Sequence, residues 1–271
     1  MSEHIITSRD NALVKRARAV RDGRASEQIF VEGLRLCEEA SQALSVDAIT
    51  DVIYTEKITR DERGARLLQS LKESNARTAL VDEAVFASLS DTRTPQGIVL
   101  LAARPETGPN VLDKSAGETP LIVILHRVNN PANAGAILRA AEAAGATAAV
   151  LTEGSVDIFS PKALRGAMGS SLRLPLWTGA RFREAVEWCK ARSIKTVCTD
   201  LRARFAHTEI DWTTPAALIL GEEAAGLAPS EVAAADFALR IPMRPPVESL
   251  NVAVAAAVVL YEAARQRTGA G

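Results

Sequence analysis

Three cysteines and three histidines are all that this chain of 271 residues contains. Cys37, Cys189 and Cys198 are odd in number, widely spaced and without any CxxC pair, which excludes a disulfide framework. His4, His126 and His207 are equally scattered. A structural zinc site needs about four clustered ligands, so no metal is expected. No apolar run approaches the roughly 20 residues that span a membrane. The opening Met1-Ser-Glu-His4 lacks the basic-then-apolar layout of a secretory signal. A cytoplasmic protein with no membrane partner is expected. Internal repeats are absent, as are a GxGxxG turn after a strand and a GxxxxGK[ST] loop. A nucleotide-like ligand would have to be held by other means.

Strong net charge is missing too. The formal value of -1 is a mild argument against a nucleic-acid partner. Local patches can still serve one. Between Arg9 and Arg24 six basic residues (Arg9, Lys15, Arg16, Arg18, Arg21, Arg24) face two acids. That run reads equally as a solvated helix face or as a nucleic-acid contact.

What is present is ordinary globular material, with 47% hydrophobic and 24% charged residues. Three prolines and two glycines break periodicity between Ala102 and Pro120. We place an N-terminal domain at 1–103, a linker at 104–119 and a C-terminal domain at 120–271. The first mixes helical stretches (11–20, 34–44, 65–71) with apolar strands (29–32, 52–54, 78–81, 98–102), which predicts a small α/β domain. The second has short apolar runs at 121–125, 148–151, 196–198, 217–220 and 237–241, with helical segments at 134–144, 182–191 and 250–265. That pattern predicts a parallel sheet with helices on both faces. In such sheets ligands sit beyond the carboxyl ends of the strands.

Three blocks stand at those ends. In Asn130-Pro-Ala-Asn-Ala-Gly-Ala-Ile-Leu-Arg139, Asn133 suits a helix N-cap. The helix would bury Ala134, Ile137, Leu138, Ala141 and Ala144, leaving Arg139 off the apolar face. Arg139 is then either a site residue or an exposed partner of Glu142 at i,i+3. In Leu220-Gly-Glu-Glu-Ala-Ala-Gly-Leu227 a strand ends in a turn able to expose several backbone groups to one ligand. In Ile241-Pro-Met-Arg-Pro-Pro-Val-Glu-Ser-Leu-Asn-Val252 prolines fix an extended segment. Ser249 can cap the following helix, with Asn251 in its first turn. That helix would pack through Leu250, Val254, Ala257, Val258 and Tyr261. A fourth stretch, Ser160 to Pro175, offers Lys162, Arg165 and Arg173 beside small residues, as phosphate contact requires.

The order and wording of these blocks resemble the SpoU/TrmH family of RNA 2′-O-ribose methyltransferases. The opening Ile6 to Lys15, Phe30-Val-Glu-Gly-Leu-Arg35 and Pro95-Gln-Gly97 resemble the substrate-binding domain often fused ahead of the catalytic one. The resemblance implies a C-terminal α/β domain tied in a trefoil knot, S-adenosylmethionine as cofactor, homodimers through that domain, and ribosomal or transfer RNA as partner, ribosomal RNA being mildly preferred. It implies a catalytic set of Asn133, Arg139, Glu223, Ser249 and Asn251. It implies cofactor contacts at Leu220, Gly221, Ile241, Met243, Leu250 and Asn251. RNA contacts are expected at Arg9, Lys15, Arg16, Arg18, Lys162 and Arg165. A guanidinium is effectively always protonated, so Arg139 reads better as an electrostatic anchor than as the base that family accounts make of it. His126 and Asn130 stand where relatives often carry acids, and Pro245 where many carry glycine. The alternative is an RNA-binding protein that kept the fold and lost catalysis, and a methyltransferase acting on a base or small molecule is a third reading.

Overall fold

A computed structural model describes residues 5–113 and 119–269. His4 and residues 114–118 of the expected linker lie outside the described residues. The chain forms two compact units, one running to Pro105 and including Phe159–Leu172, the other comprising Glu106–Ile158 and Arg173 onward.

The first unit is built on α1 (Ala12–Arg21), β1 (Gln28–Glu32), α2 (Leu34–Ala43), β2 (Ile49–Tyr54), α3 (Glu56–Thr59), α4 (Glu62–Lys72), β3 (Arg77–Leu80), α5 (Glu83–Leu89) and β4 (Ile98–Ala103). Its sheet runs β1-β4-β2-β3, with β2 and β3 parallel and the other pairs antiparallel. Asn11, Asp61 and Asp82 start α1, α4 and α5 by accepting backbone N–H groups of the first turn. Phe30, Ile53, Val99 and Leu101 of the strands pack with Val14, Ala17, Val85 and Phe86 of the helices.

The rest of the chain adds α6 (Pro109–Asp113), β5 (Leu121–Leu125), α7 (Pro131–Ala143), β6 (Ala148–Thr152), α8 (Pro161–Ala167), α9 (Ser170–Arg173), β7 (Leu176–Ala180), α10 (Phe182–Ala191), β8 (Lys195–Thr199), β9 (Phe205–Ala206), β10 (Ala216–Leu220), α11 (Pro229–Val232), β11 (Phe237–Arg240) and α12 (Val252–Thr268). The short helix α6 falls in the segment read as a linker, and its Leu112 is buried. The helix α8 belongs to the first unit.

The sheet of the second unit is parallel throughout, in the order β7-β6-β5-β10-β8-β11-β9. Its central strands β5 and β10 are buried at every residue. Ile122, Ile124, Ala217 and Ile219 meet Ala185, Val186, Trp188 and Cys189 of α10 on one face. The alternating residues Leu121, Val123, Leu125 and Leu218 are buried on the other. Strand order reverses at β5, since β6 and β7 lie to one side and β10, β8, β11 and β9 to the other. The carboxyl ends of β5 and β10 are therefore where a ligand crevice belongs.

Two helix starts differ from the sequence expectation. The N-cap of α7 is Asn130, whose side chain accepts from the N–H groups of Ala132 and Asn133. Pro131 drives this, because its fixed φ and missing N–H suit the first helical position. Asn133 thus sits in the first turn with its side chain free for other work. Likewise α12 is capped by Asn251, not Ser249, through the N–H groups of Ala253 and Val254. The buried face of α12 is Ala256, Val259, Leu260 and Ala263, while Val254 and Tyr261, expected inside, are exposed.

Candidate active site

Glu223 joins two of the sequence blocks. Its carboxylate accepts from the backbone N–H of Asn129 (3.3 Å) and Asn130 (3.1 Å) and from Asn133 Nδ2 (3.2 Å). The third block joins through Asn251, whose Nδ2 donates to Asn133 Oδ1 at 3.2 Å. One chain of hydrogen bonds thus runs from the loop after β10, through the first turn of α7, to the cap of α12. Slight burial opposes ionisation of Glu223, but its own backbone N–H, the Asn133 amide and the N–H groups of Asn130 and Asn129 outweigh this. The carboxyl is held below its ordinary value.

Beside this chain lies a cavity of about 400 Å³ at the carboxyl ends of β8, β10 and β11. Leu220, Leu227, Leu239, Ile241 and Leu250 give it apolar walls. Gly221 is required where it stands. A Cβ there would lie 2.5 Å from the carbonyl carbon of Gly226, because the loop doubles back at the Glu222–Gly226 bridge.

Of the expected cofactor residues, Leu220, Gly221, Ile241, Met243 and Leu250 line the cavity, together with Glu223 and Ser249. Asn251 is not among the lining residues and acts as the α12 cap. Arg139 is exposed on α7 and forms no ion pair with another described residue. Glu142 does not take it as a partner, since it is bound by Arg173 at 2.6 Å and 2.8 Å. Sequence reasoning missed the wall after β8, from Thr199 to Arg202. The rule that ligands sit at carboxyl strand ends, applied to the run at 196–198, pointed there.

The cavity fits a cofactor with an adenine ring and a cationic sulfur. Its volume is that of a small-molecule site. Its apolar walls suit the ring, and a lining of both signs, with carboxylates from Asp200, Glu222 and Glu223 and guanidinium groups from Arg202 and Arg240, suits the zwitterionic amino-acid end of such a cofactor. Among the described residues no group of three His, Cys, Asp or Glu is placed to hold a metal ion. No helix among them is long and apolar enough to cross a membrane.

The loop after β10 is secured from beneath. His126, 3% exposed at the end of β5, meets Glu231 through Nε2 and Thr152 Oγ1 through Nδ1, both at 2.9 Å. Glu231 also accepts the Ala228 N–H at 2.8 Å. Desolvation raises the Glu231 carboxyl, while the Ala228 N–H and the adjacent His126 and Arg127 lower it further, leaving it below its ordinary value.

The expected RNA contacts fare unequally. Arg16 is ion-paired at 2.6 Å with Asp51, a buried carboxylate that Arg77 also reaches. Arg18 donates to Arg9 O and Ser88 Oγ. Lys15 pairs with Asp10 and Arg165 with Asp91. Arg9 and Lys162 are exposed and form no ion pair with another described residue.

Comparison with known proteins decides what the two units are. Residues 120–261 match the model of the SpoU rRNA Methylase family. Residues 30–108 match that of RNA 2′-O ribose methyltransferase substrate binding. The chain belongs to the SpoU rRNA methylase family. It is 32% identical over 232 residues to the Bacillus subtilis 23S rRNA (guanosine(2553)-2′-O)-methyltransferase RlmP, covering 86% of each chain. A solved S-adenosylmethionine-bound rRNA methyltransferase from Sinorhizobium meliloti superposes with a TM-score of 0.84 at 27% identity, covering 97% of each chain. The SpoU methyltransferase AviRb from Streptomyces viridochromogenes gives 0.84 at 26% identity, covering 96% of this chain and 99% of that one. The mixed α/β first unit and the parallel sheet of the second are thus the SpoU architecture.

Proposed function

We propose that this protein transfers a methyl group from S-adenosylmethionine to a ribose 2′-hydroxyl of ribosomal RNA. The observation that carries the reading is the hydrogen-bonded chain Glu223–Asn133–Asn251 at the edge of a cavity with apolar walls and charged groups of both signs. Family membership supports the cofactor and the reaction class, and relatives named as 23S rRNA methyltransferases support ribosomal over transfer RNA.

When bound, S-adenosylmethionine supplies a methyl group on a positively charged sulfur. The chain itself must align the acceptor hydroxyl, let its proton pass to solvent, since Arg139 already carries one, and stabilise the negative charge that grows on its oxygen. Glu223 holds the Asn133 amide with Oδ1 turned toward Asn251, which fixes both side chains for the ribose. Ser249, on the cavity wall, offers a hydroxyl beside them. Arg139, permanently charged, anchors the developing alkoxide or the neighbouring phosphate.

RNA recognition falls to residues 1–103 and transfer to 120–271. We assign the trefoil knot of the family to the second part. The return of the chain after β11, which brings Asn251 to Asn133 and packs α12 on α7, supports it. A homodimer through α12 accounts for the exposed apolar residues Val247, Leu250, Val254 and Tyr261. A cytoplasmic location follows from a ribosomal RNA substrate.

The test is methyl transfer from labelled S-adenosylmethionine to RNA from a strain lacking this protein, followed by digestion to nucleosides. Label in 2′-O-methylribose of the ribosomal fraction is the expected result. Label in a base would overturn the reaction type. Absence of both label and cofactor binding would favour the non-catalytic RNA-binding alternative.

A further inference from the structure

In the first unit most of the positive charge free of ion pairs lies away from α1. On α1 and in the turn after it Lys15 pairs with Asp10, Arg16 with Asp51, and Arg21 and Arg24 with Asp22, while Arg18 donates only to neutral oxygens and Arg9, before the helix, has no ion pair with another described residue. A larger group of uncompensated cations surrounds the loop from Ser90 to Gly97.

That loop is held at both ends. Glu32, buried at the end of β1, accepts from Ser90 Oγ, the Asp91 N–H and Thr92 Oγ1. At the far end Gln96 Oε1 accepts the Leu34 N–H at 2.8 Å, against the start of α2. Lys57 Nζ donates to Pro95 O at 2.8 Å from the opposite side. Gly97 closes the loop at φ +84, where a Cβ would lie 2.6 Å from Thr55 Oγ1. Arg165 reaches Asp91 at 2.6 Å, which sets α8 along the same loop with Lys162 one turn away.

Arg35, Lys57, Arg93 and Lys162 are all exposed on this rim. Arg35, Arg93 and Lys162 form no ion pair with another described residue. Of the carboxylates around them, Glu38 is engaged by Arg63, Glu56 by Arg60, Asp91 by Arg165 and Glu32 in its buried cluster, and Glu39 is not free either. The rim is therefore net positive, on a pinned scaffold that loses little freedom on binding. Cations set on a rigid loop beside exposed backbone are what a phosphodiester chain requires.

Resting on the reading of this chain as an RNA methyltransferase, we propose that the 90–97 loop, with Arg35, Lys57, Arg93 and Lys162, is where the first unit grips the RNA backbone. The basic run of α1, most of it held in ion pairs, contributes less.

The test is filter binding of deproteinised bacterial 23S ribosomal RNA across a salt series, with S-adenosylmethionine binding measured separately. Arg35→Glu/Arg93→Glu should weaken RNA binding at least tenfold. It should also flatten the slope of log K against log salt by about 0.7–0.9 for each phosphate that is no longer neutralised. Arg35→Gln/Arg93→Gln should shift both in the same direction by less. Arg24→Glu, in the turn after α1, should leave both near wild type, and cofactor binding should be unchanged throughout. Unaltered RNA binding by the Arg35/Arg93 variants, or an equal weakening in Arg24→Glu, overturns the proposal while leaving the enzymatic reading intact. Wild-type protein that neither binds RNA nor transfers methyl overturns that reading as well.

Discussion

His126 and Glu231 share a 2.9 Å hydrogen bond that ties the end of β5 to the far side of the loop after β10. A carboxylate can only accept, so Nε2 carries the proton. Thr152 holds the other ring nitrogen and Phe182 lies 4.5 Å away, centroid to centroid. Val232, next to Glu231, lines the cavity. Replacing His126 by Leu leaves two polar partners without this bond, at a cost of about 1–2 kcal/mol. His126→Leu should therefore weaken S-adenosylmethionine binding roughly tenfold. Calorimetric titration of cofactor reads the change, and RNA affinity should stay at the wild-type level.

Glu223→Gln tests the hydrogen-bonded chain itself. The carboxylate receives three donors, and a glutamine offers one oxygen while turning an NH₂ toward the rest. Hydrogen bonds to a charged group are worth about 1.5–3 kcal/mol. The loss should appear as a fall of roughly tenfold to a hundredfold in methyl transfer. Single-turnover rates at saturating cofactor separate this from weakened binding, and an unchanged rate would remove Glu223 from the positioning role.

How much of this was legible beforehand depends on how local the cause was. The buried set of α7 follows from spacing alone, and Ala134, Ile137, Leu138 and Ala141 are inside as periodicity predicts. The start of α7 was misread because Asn130 and Asn133 are both good caps, and only the Pro131 between them decides. On α12, alanine and valine occur all round the helix, so spacing could not choose a face, and of the residues expected inside Leu250, Val254 and Tyr261 are exposed while Ala257 and Val258 are half-buried. Strand β7 went unread because Gly179 interrupts it. The commitment of Arg16 to Asp51 lay beyond reach, because burial of Asp51 depends on where β2 pairs.

Acid should weaken the fold through particular glutamates. Hydrogen bonds from Arg265 and then Gln266 hold Glu262 down to about 2 against an ordinary 4.5, and Glu223 and Glu231 are lowered too. A depressed carboxyl binds fewer protons in the folded chain than in the unfolded one. Its stabilisation is complete above the ordinary value and is lost as pH falls through the folded value. Urea unfolding should therefore show stability falling between pH 4.5 and about 2. In Glu262→Gln the decline toward the acid end should be shallower.

The apolar residues left on α12 make a prediction about assembly. Val254 is 50% and Tyr261 57% exposed, seven residues apart and so on one stripe of the helix. Burying that stripe against its symmetry mate would remove apolar surface from water in both copies. Light scattering should find a dimer for the wild type and a monomer for Val254→Asp/Tyr261→Asp. A wild-type monomer would rule out the α12 interface.

Arg139 separates catalysis from folding. Its side chain is exposed, leaves the buried face of α7 undisturbed and makes no ion pair among the described residues. Arg139→Ala should therefore change stability by no more than about 0.5 kcal/mol, the ordinary scale for surface positions. Loss of a charge aimed at a developing anion typically lowers rate by about 10²–10³-fold. An anchor needs only positive charge, so Arg139→Lys should recover part of the rate and follow the wild-type dependence on pH. If Arg139 were the base, the lysine variant would shift the rise of rate with pH to the range where an amine deprotonates. Single-turnover rates of both variants across pH 6–10, beside thermal melts, tell the two roles apart.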